Sequence, residues 1–78
     1  MKYREHITYE EWDTEYEPIK KRIENHEYDH VKEDMDIRYY IFDSENLVIH
    51  THANSTTLGV VNKITMEKMF GYYWQIYV

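Results

Sequence analysis

The chain has 78 residues, of which 17% are aromatic and none is cysteine, and its formal net charge is −6. A chain of this length is expected to fold as one domain with a modest core, and the absence of cysteine excludes disulfide bonds and thiolate metal sites. The nine tyrosines and two tryptophans supply apolar surface that disordered chains lack, so the composition indicates a folded protein.

The first predicted element is an amphipathic helix over residues 8–17. Thr8 and Glu11 have the spacing of a capping box, in which each side chain accepts a hydrogen bond from the backbone of the other. Apolar residues recur at helical spacing on one face, namely at Trp12, Tyr16, Ile19 and Ile23. Because proline cannot continue a helix without losing a hydrogen bond, we expect a kink or a short second helical turn from Pro18 onward.

Residues 24–36 are predicted to form a charged connection, which contains the pentapeptide HEYDH at positions 26–30. It matches the H-E-x-x-H signature of zinc proteases, in which two histidines of one helix bind zinc beside a glutamate base. The flanking residues are charged, and a buried catalytic helix would leave those charges unpaired. No third ligand is defined either, so the sequence disfavours a protease site formed by His26, Glu27 and His30.

Two runs of β-branched and aromatic residues predict a β-hairpin. They are IRYYIF at 37–42 and LVIHTH at 47–52, and the turn-forming residues DSEN separate them. A second turn, ANST at 53–56, leads to TLGVVN at 57–62, which predicts a third strand.

The end of the chain is predicted to form a short helix and a last strand. The helix covers residues 64–71, with Thr65 as its cap and Gly71 at its end. The strand covers residues 72–78, where side chains of two kinds alternate between the faces.

The order of these elements indicates an α+β fold, with an N-terminal helix packed on a three- to four-stranded antiparallel sheet. We expect a single domain over residues 1–78, made of a helical acidic part, 1–36, and a β-rich part, 37–78. The apolar runs are too short for a membrane span and the first residues lack the apolar core of a signal peptide, so we expect a soluble cytoplasmic protein.

The histidines suggest a second metal hypothesis. Two of them lie two residues apart on one predicted strand and so share a face. If the connection folds against that strand, four histidines would converge on a tetrahedral zinc site, namely His26, His30, His50 and His52. The alternative is that the first two are solvated loop residues and the others lie on an exposed strand face. This metal site is the weaker reading, and no cofactor is expected.

The acidic residues are unevenly distributed. Residues 1–36 hold twelve acidic and six basic side chains and the remainder three of each, so the whole net charge belongs to the first part. A field of that sign repels phosphates and attracts basic surfaces. The acids of the first helix are therefore either a solvated face that maintains solubility or a contact surface for a basic groove. They are Glu10, Glu11, Asp13, Glu15 and Glu17.

The tyrosines also divide between core and surface. We expect three aromatic residues in the core, namely Tyr39, Tyr72 and Trp74. The outer face of the sheet would present an exposed aromatic patch drawn from Tyr40, Tyr73 and Tyr77, and the last two are assigned to the partner-binding surface. Base stacking on such a patch needs nearby cations to hold phosphates. The β-rich part offers only Arg38, Lys63 and Lys68, so direct nucleic-acid binding is not expected.

The stretch YEEWDTEYEPIKKRI at 9–23 resembles a family of small uncharacterised proteins of tailed bacteriophages. The shared pattern is a tryptophan, an aromatic residue four positions later and Pro-Ile-Lys, here Trp12, Tyr16, Pro18, Ile19 and Lys20. Lys21 stands where those proteins often have asparagine, and the ending FGYYWQIYV is loosely similar to theirs, whereas the middle of the chain does not match. The resemblance implies a phage product that acts in a bacterial cytoplasm, and it brings no catalytic residues with it.

These patterns predict a binding protein and not an enzyme, since the sequence has no nucleophile with a placed base and no glycine-rich phosphate loop. Its expected partner is a host protein with a basic nucleic-acid-binding site, such as a defence nuclease, a CRISPR effector or a restriction enzyme. It would inhibit that partner by occlusion or nucleic-acid mimicry. The alternatives are a histidine-rich metal-binding domain and an oligomeric structural or assembly protein with the strand YYWQIYV at a sheet edge.

Overall fold

The computed structural model describes residues 3–34, 36–52 and 58–70. The helices and strands follow in the order α1 (Tyr9–Asp13), α2 (Glu17–Glu24), β1 (His30–Asp34), β2 (Ile37–Phe42), β3 (Leu47–His52), β4 (Leu58–Val61) and α3 (Lys63–Phe70). A short 3-10 turn at Asp43–Glu45 joins β2 to β3. Helices on an antiparallel four-stranded sheet confirm the predicted α+β class.

The sheet is a meander in which each strand pairs with its neighbour in the chain, in the order β1-β2-β3-β4. Residues opposite one another share a face because side chains alternate along each strand. One such row crosses all four strands, namely Val31, Tyr40, Ile49 and Val60. We call its side the front face. The next row belongs to the opposite side, the rear face, and contains His30, Ile41, Val48 and Val61.

Each face carries its own hydrophobic cluster. On the front face, Ile7, Tyr16 and Ile19 pack against buried side chains of β2, β3 and β4. On the rear face, Met66 of α3 packs against a second set that includes Tyr39 and Ile41. The helices α1 and α2 therefore cover the front of the sheet and α3 covers its rear.

The start of the first helix is as predicted. Glu11 donates its backbone N–H to Thr8 Oγ1 over 3.1 Å, and Thr8 returns its own N–H to Glu11 Oε1 over 3.0 Å. The predicted end at residue 17 is wrong, because α1 stops at Asp13 and a separate helix begins at Glu17. Pro18 lies in the first turn of that second helix, where its missing N–H costs nothing and its fixed φ favours helix.

Strand β1 corrects the prediction of a charged connection over residues 24–36. Its five residues, HVKED, pair with β2 along their full length. The inward position is occupied by Lys32, which is buried, and the apolar Val31 is 46% exposed. A period-two apolar pattern is therefore absent, and backbone pairing with β2 defines the strand. The long aliphatic part of a lysine can fill an inward position in this way.

The start of α3 is held by two asparagines. Asn62 Oδ1 accepts the backbone N–H of Thr65 over 2.7 Å, so Asn62 is the cap and the prediction of Thr65 in that role is wrong. Asn46 Oδ1 accepts the backbone N–H of Lys63 over 3.2 Å. Asn46 lies in the left-handed region at φ 51°, which asparagine tolerates better than most residues. The predicted turn at 53–56, the helix end at Gly71 and the strand 72–78 lie outside the described residues.

The N-terminal segment, residues 4–7, extends the sheet beyond β4. Arg4 and Val60 exchange both backbone hydrogen bonds at 2.7 and 2.8 Å, and Ile7 donates to the Leu58 carbonyl at 2.8 Å. Between these two contacts the segment has two residues and β4 has one. One extra residue on one side of an antiparallel pair is characteristic of a β-bulge. This bridge between the N-terminal segment and β4 was not predicted, and the segment leads directly to the cap of α1.

The pentapeptide HEYDH follows the end of α2 and does not form a helix. His26 donates its N–H to the Ile23 carbonyl and Glu27 donates to the Arg22 carbonyl, at 3.0 and 2.9 Å. These two bonds, with His26 at φ 58°, form a Schellman motif, whose left-handed position usually holds glycine. The zinc-protease geometry is thus absent, because the helix ends before the first histidine.

We predict that His26→Gly stabilises the protein. A left-handed backbone strains any residue with a Cβ atom by about 1–2 kcal/mol, and the greater freedom of glycine in the unfolded chain offsets about 0.4–1 kcal/mol of this. The free energy of unfolding, measured by urea denaturation, should therefore rise by about 0.5–1 kcal/mol. The matched control is Asn25→Gly at φ −89°, where glycine relieves no strain and should leave stability unchanged or lower. Destabilisation by His26→Gly would contradict the conclusion that the backbone at His26 is strained.

Candidate functional site

The structure places the predicted acidic residues together on α1, α2 and the link between them. We call this set the acidic layer: Glu10, Glu11, Asp13, Glu15, Glu17 and Glu24. Glu11 is half-buried and the others are exposed. Glu24 was not predicted as part of the surface, and it lies at the end of α2, facing solvent.

Most of these carboxylates already have a cationic neighbour. Glu11 pairs with Arg4, Asp13 Oδ1 lies 2.7 Å from Lys20 Nζ, and Glu17 Oε1 lies 2.9 Å from Lys21 Nζ. The Lys21 hydrogen bond lowers the pKa of Glu17. Exposed pairs of this kind contribute little to stability, so an approaching cation can replace the internal partner.

Two carboxylates of the acidic layer differ from the rest. Neither Glu10 nor Glu24 makes an ion pair with a residue in the described ranges. They lie at opposite ends of the acidic layer, at the start of α1 and the end of α2. The acidic layer therefore combines paired carboxylates with two carboxylates available to an external cation.

The predicted aromatic surface is found only in part. Tyr39 is 2% exposed and belongs to the rear cluster, as predicted for a core residue. Tyr40 lies on the front face, half-buried, with its ring centroid 5.1 Å from that of Tyr28. Tyr73 and Tyr77, assigned to the partner-binding surface, lie outside the described residues, as do Tyr72 and Trp74.

The four histidines of the predicted metal site do not converge. His26 lies near Tyr28 at the front, with Nδ1 2.9 Å from the tyrosine hydroxyl. His30 also lies on the rear face, where its Nε2 is 2.8 Å from Asp43 Oδ2. It is at the opposite end of the sheet from His52, and two strands away from His50 and His52 on β3. Within residues 3–34, 36–52 and 58–70, no group of three or more histidine or carboxylate side chains could hold a metal ion.

His50 is the most constrained of these histidines. Its side chain is fully buried, and Nδ1 lies 3.3 Å from His52 Nε2. Its ring covers Gly59, where an added Cβ atom would overlap Nε2 and lie 2.5 Å from the Glu5 carbonyl oxygen. Sequence reasoning missed this junction, although a glycine inside a strand is a signal for close approach by another group.

Burial lowers the pKa of His50 to about 4, because the charged ring would lose its hydration. The nearby His52 and His6 imidazoles lower this pKa further, and the Glu5 carbonyl dipole opposes them. At neutral pH the ring is therefore uncharged, which suits a packing role at the junction.

Lys32 occupies the same rear-face row as His50, with Tyr39 between them. Burial lowers the pKa of Lys32 to about 8, so part of its amine is neutral in mildly alkaline solution. A neutral amine can act as a nucleophile. At 3% exposure, however, the side chain gives a dissolved substrate little access, and we assign it a packing role.

Two open clefts lie on either side of the Glu33–Arg38 ion pair. The first, of about 410 Å³, is lined by residues that include Tyr9 and Thr51. The second, of about 480 Å³, lies between the end of α2, the loop after it and the front of β1 and β2. We call this second space the β1 cleft. It has no counterpart among the sites predicted from sequence.

In comparisons with known proteins, the sequence matched no protein family, no curated protein and no solved structure. None of the helices that the structure describes is long and apolar enough to cross a membrane. The surfaces described above are therefore the basis for any functional assignment.

We predict that His50 makes stability pH-dependent between pH 6.5 and about 4. Because its folded pKa lies below its ordinary value of 6.5, the unfolded chain takes up a proton in this window that the folded chain resists. The free energy of unfolding should therefore fall as the pH falls, by up to about 3 kcal/mol over the full shift. Urea denaturation at a series of pH values measures this slope.

The variant His50→Gln removes the titrating group and should flatten the slope in this pH range, even if its overall stability is lower. The matched control is His26→Gln, at an exposed position, and it should retain the slope of the natural chain. Parallel slopes for the natural chain and His50→Gln would refute the assignment.

Proposed function

We propose that the protein is a non-enzymatic inhibitor that binds a basic nucleic-acid-binding site on a host protein, such as a defence nuclease, a CRISPR effector or a restriction enzyme. The observation that supports the proposal is the acidic layer, which presents carboxylates on two consecutive helices at one side of the molecule. The resemblance of residues 9–23 to small phage proteins favours the cytoplasm of a bacterial host as the setting.

The internal ion pairs suit reversible binding. Each paired carboxylate is already ordered by a neighbouring lysine or arginine, so it loses less side-chain freedom when it meets a cation of the partner. Glu10 and Glu24, which make no ion pair with a described residue, contribute exposed negative charge that steers a basic partner over a distance of about one Debye length. Charges of this kind affect the association rate more than the final affinity.

The position of the acidic layer supports inhibition by occlusion. The helices α1 and α2 stand on the front face of the sheet, so their outer surfaces are the first parts of that side to meet a partner. A basic channel that normally holds phosphates would receive helix-borne carboxylates instead, and nucleic acid would be excluded from the same surface.

We predict that Glu10→Lys combined with Glu15→Lys slows association with the partner at least tenfold at low salt, because both exposed carboxylates become repulsive cations. The partner is first captured from a nuclease-treated bacterial lysate on the immobilised natural chain. Association is then measured by stopped-flow fluorescence across a salt series, and the difference should shrink as salt screens the charges.

The control, Asp36→Lys combined with Glu67→Lys, changes the net charge equally but lies outside the acidic layer, and it should slow association less than threefold. The captured protein, eluted and then loaded with nucleic acid, should also release that nucleic acid when the chain is added. Equal association rates for the two double variants, or a partner that retains its nucleic acid, would refute the proposal.

A further inference from the structure

The β1 cleft has an aromatic wall. Tyr28 and Tyr40 both line it, and their ring planes meet at 56° with centroids 5.1 Å apart. The Tyr28 hydroxyl lies 2.9 Å from His26 Nδ1, and the Arg38 guanidinium approaches the Tyr40 hydroxyl at 3.5 Å. Both rings are half-buried against the front cluster, so the wall keeps its shape without a ligand.

The rim of the cleft is acidic. Glu24 lies at its edge and makes no ion pair with a described residue, whereas Glu33 and Arg38 neutralise each other. An aromatic wall beside an exposed carboxylate that forms no ion pair with a described residue favours a cation, because the ring faces and the carboxylate both attract positive charge. An anionic ligand would meet Glu24 at the entrance and is disfavoured.

The same helix already shows how this fold holds a guanidinium. Arg22 Cζ lies 4.6 Å from the centroid of the Phe42 ring. Its two terminal nitrogens donate to both oxygens of Glu45 at 3.1 and 2.6 Å. The β1 cleft offers the same two kinds of group. The rings are those of Tyr28 and Tyr40, and the carboxylate is that of Glu24, which lies two residues after Arg22 on α2.

We propose that the β1 cleft receives an arginine side chain from a basic segment of the partner protein. This inference rests on the proposed function and specifies where on the surface the partner is bound. The guanidinium stacks on the tyrosine wall and bonds to Glu24. Arginine is preferred to lysine because its flat group matches both a ring face and a carboxylate, whereas an ammonium is a strongly hydrated point charge.

Exposed Val31 extends the contact beyond the guanidinium. It lies on β1 at the border of the cleft and is 46% exposed. An arginine side chain carries three methylene groups before its charged end, and these cover apolar surface well. The cleft volume of about 480 Å³ leaves space for the whole side chain and its adjoining backbone.

The test is an NMR titration of the full chain, labelled with nitrogen-15, with three peptides: hexa-arginine, hexa-lysine and hexa-citrulline. Citrulline keeps the shape of arginine without its charge. We expect hexa-arginine to shift the amide signals of Tyr28, Val31 and Tyr40 most strongly. Its dissociation constant should be at least fivefold lower than that of hexa-lysine, and hexa-citrulline should not bind.

The variant Glu24→Gln should weaken hexa-arginine binding at least fivefold without affecting the core, because Glu24 is exposed. Glu5→Gln is the matched control, since it removes an exposed carboxylate outside both the acidic layer and the cleft, and it should change binding less than twofold. Tyr28→Leu retains an apolar side chain but removes the ring, and it should also weaken binding. Dispersed amide signals establish that each variant is folded.

The inference is overturned if the shifts spread evenly over the acidic layer, or if Glu5→Gln weakens binding as much as Glu24→Gln. It is also overturned if hexa-lysine binds as tightly as hexa-arginine. These results can be distinguished from a failure of the proposed function. If the natural chain and Glu24→Gln capture the partner equally well, the proposed function stands and the arginine site in the cleft is refuted. If arginine binds in the cleft but the chain displaces no nucleic acid from any partner, the cleft is retained and the proposed function is refuted.

Discussion

Three parts of the chain meet in the space where Gly59 has no side chain. The His50 ring fills that space from the neighbouring strand and the Glu5 backbone approaches it from the sheet edge, so any larger residue there would separate them. This close approach holds the N-terminal segment on β4, where it exchanges backbone bonds with Val60. The segment ends at the Thr8 cap of α1. The position of the acidic layer therefore depends on packing at one glycine in a strand.

The front of the sheet has two unequal halves, and the proposed function uses both. Over β3 and β4 the helices bury the cluster that contains Ile7 and Tyr16, which fixes the acidic layer above it. Over β1 the same face leaves the β1 cleft, with aromatic side chains inside and Glu24 at the rim. Under the proposed function, adjacent surfaces would attract the partner at long range and bind it locally. The acidic layer would set how fast a basic partner arrives, and the β1 cleft would select which of its side chains is bound.

Short-range sequence patterns were sufficient to predict those elements whose residues have a strong local preference for the observed backbone conformation. The capping box at Thr8 and the hairpin over 37–42 and 47–52 were predicted with their observed bounds, because turn chemistry and β-branched runs are short-range features. Strand β1 was missed since its inward residue is Lys32, which carries no apolar signal. The cleft and the junction at Gly59 could not be predicted, because they join residues far apart in the chain and depend on which strands become neighbours.

Native-state hydrogen exchange on Gly59→Ala tests the central claim most directly. The added methyl group would overlap the His50 ring and press on the Glu5 carbonyl, so it should release the N-terminal segment from β4. The account predicts that the amides of Arg4 and Ile7 lose at least tenfold in protection while those pairing β1 with β2 retain theirs. Unchanged protection at Arg4 and Ile7, or an equal loss throughout the sheet, would contradict it.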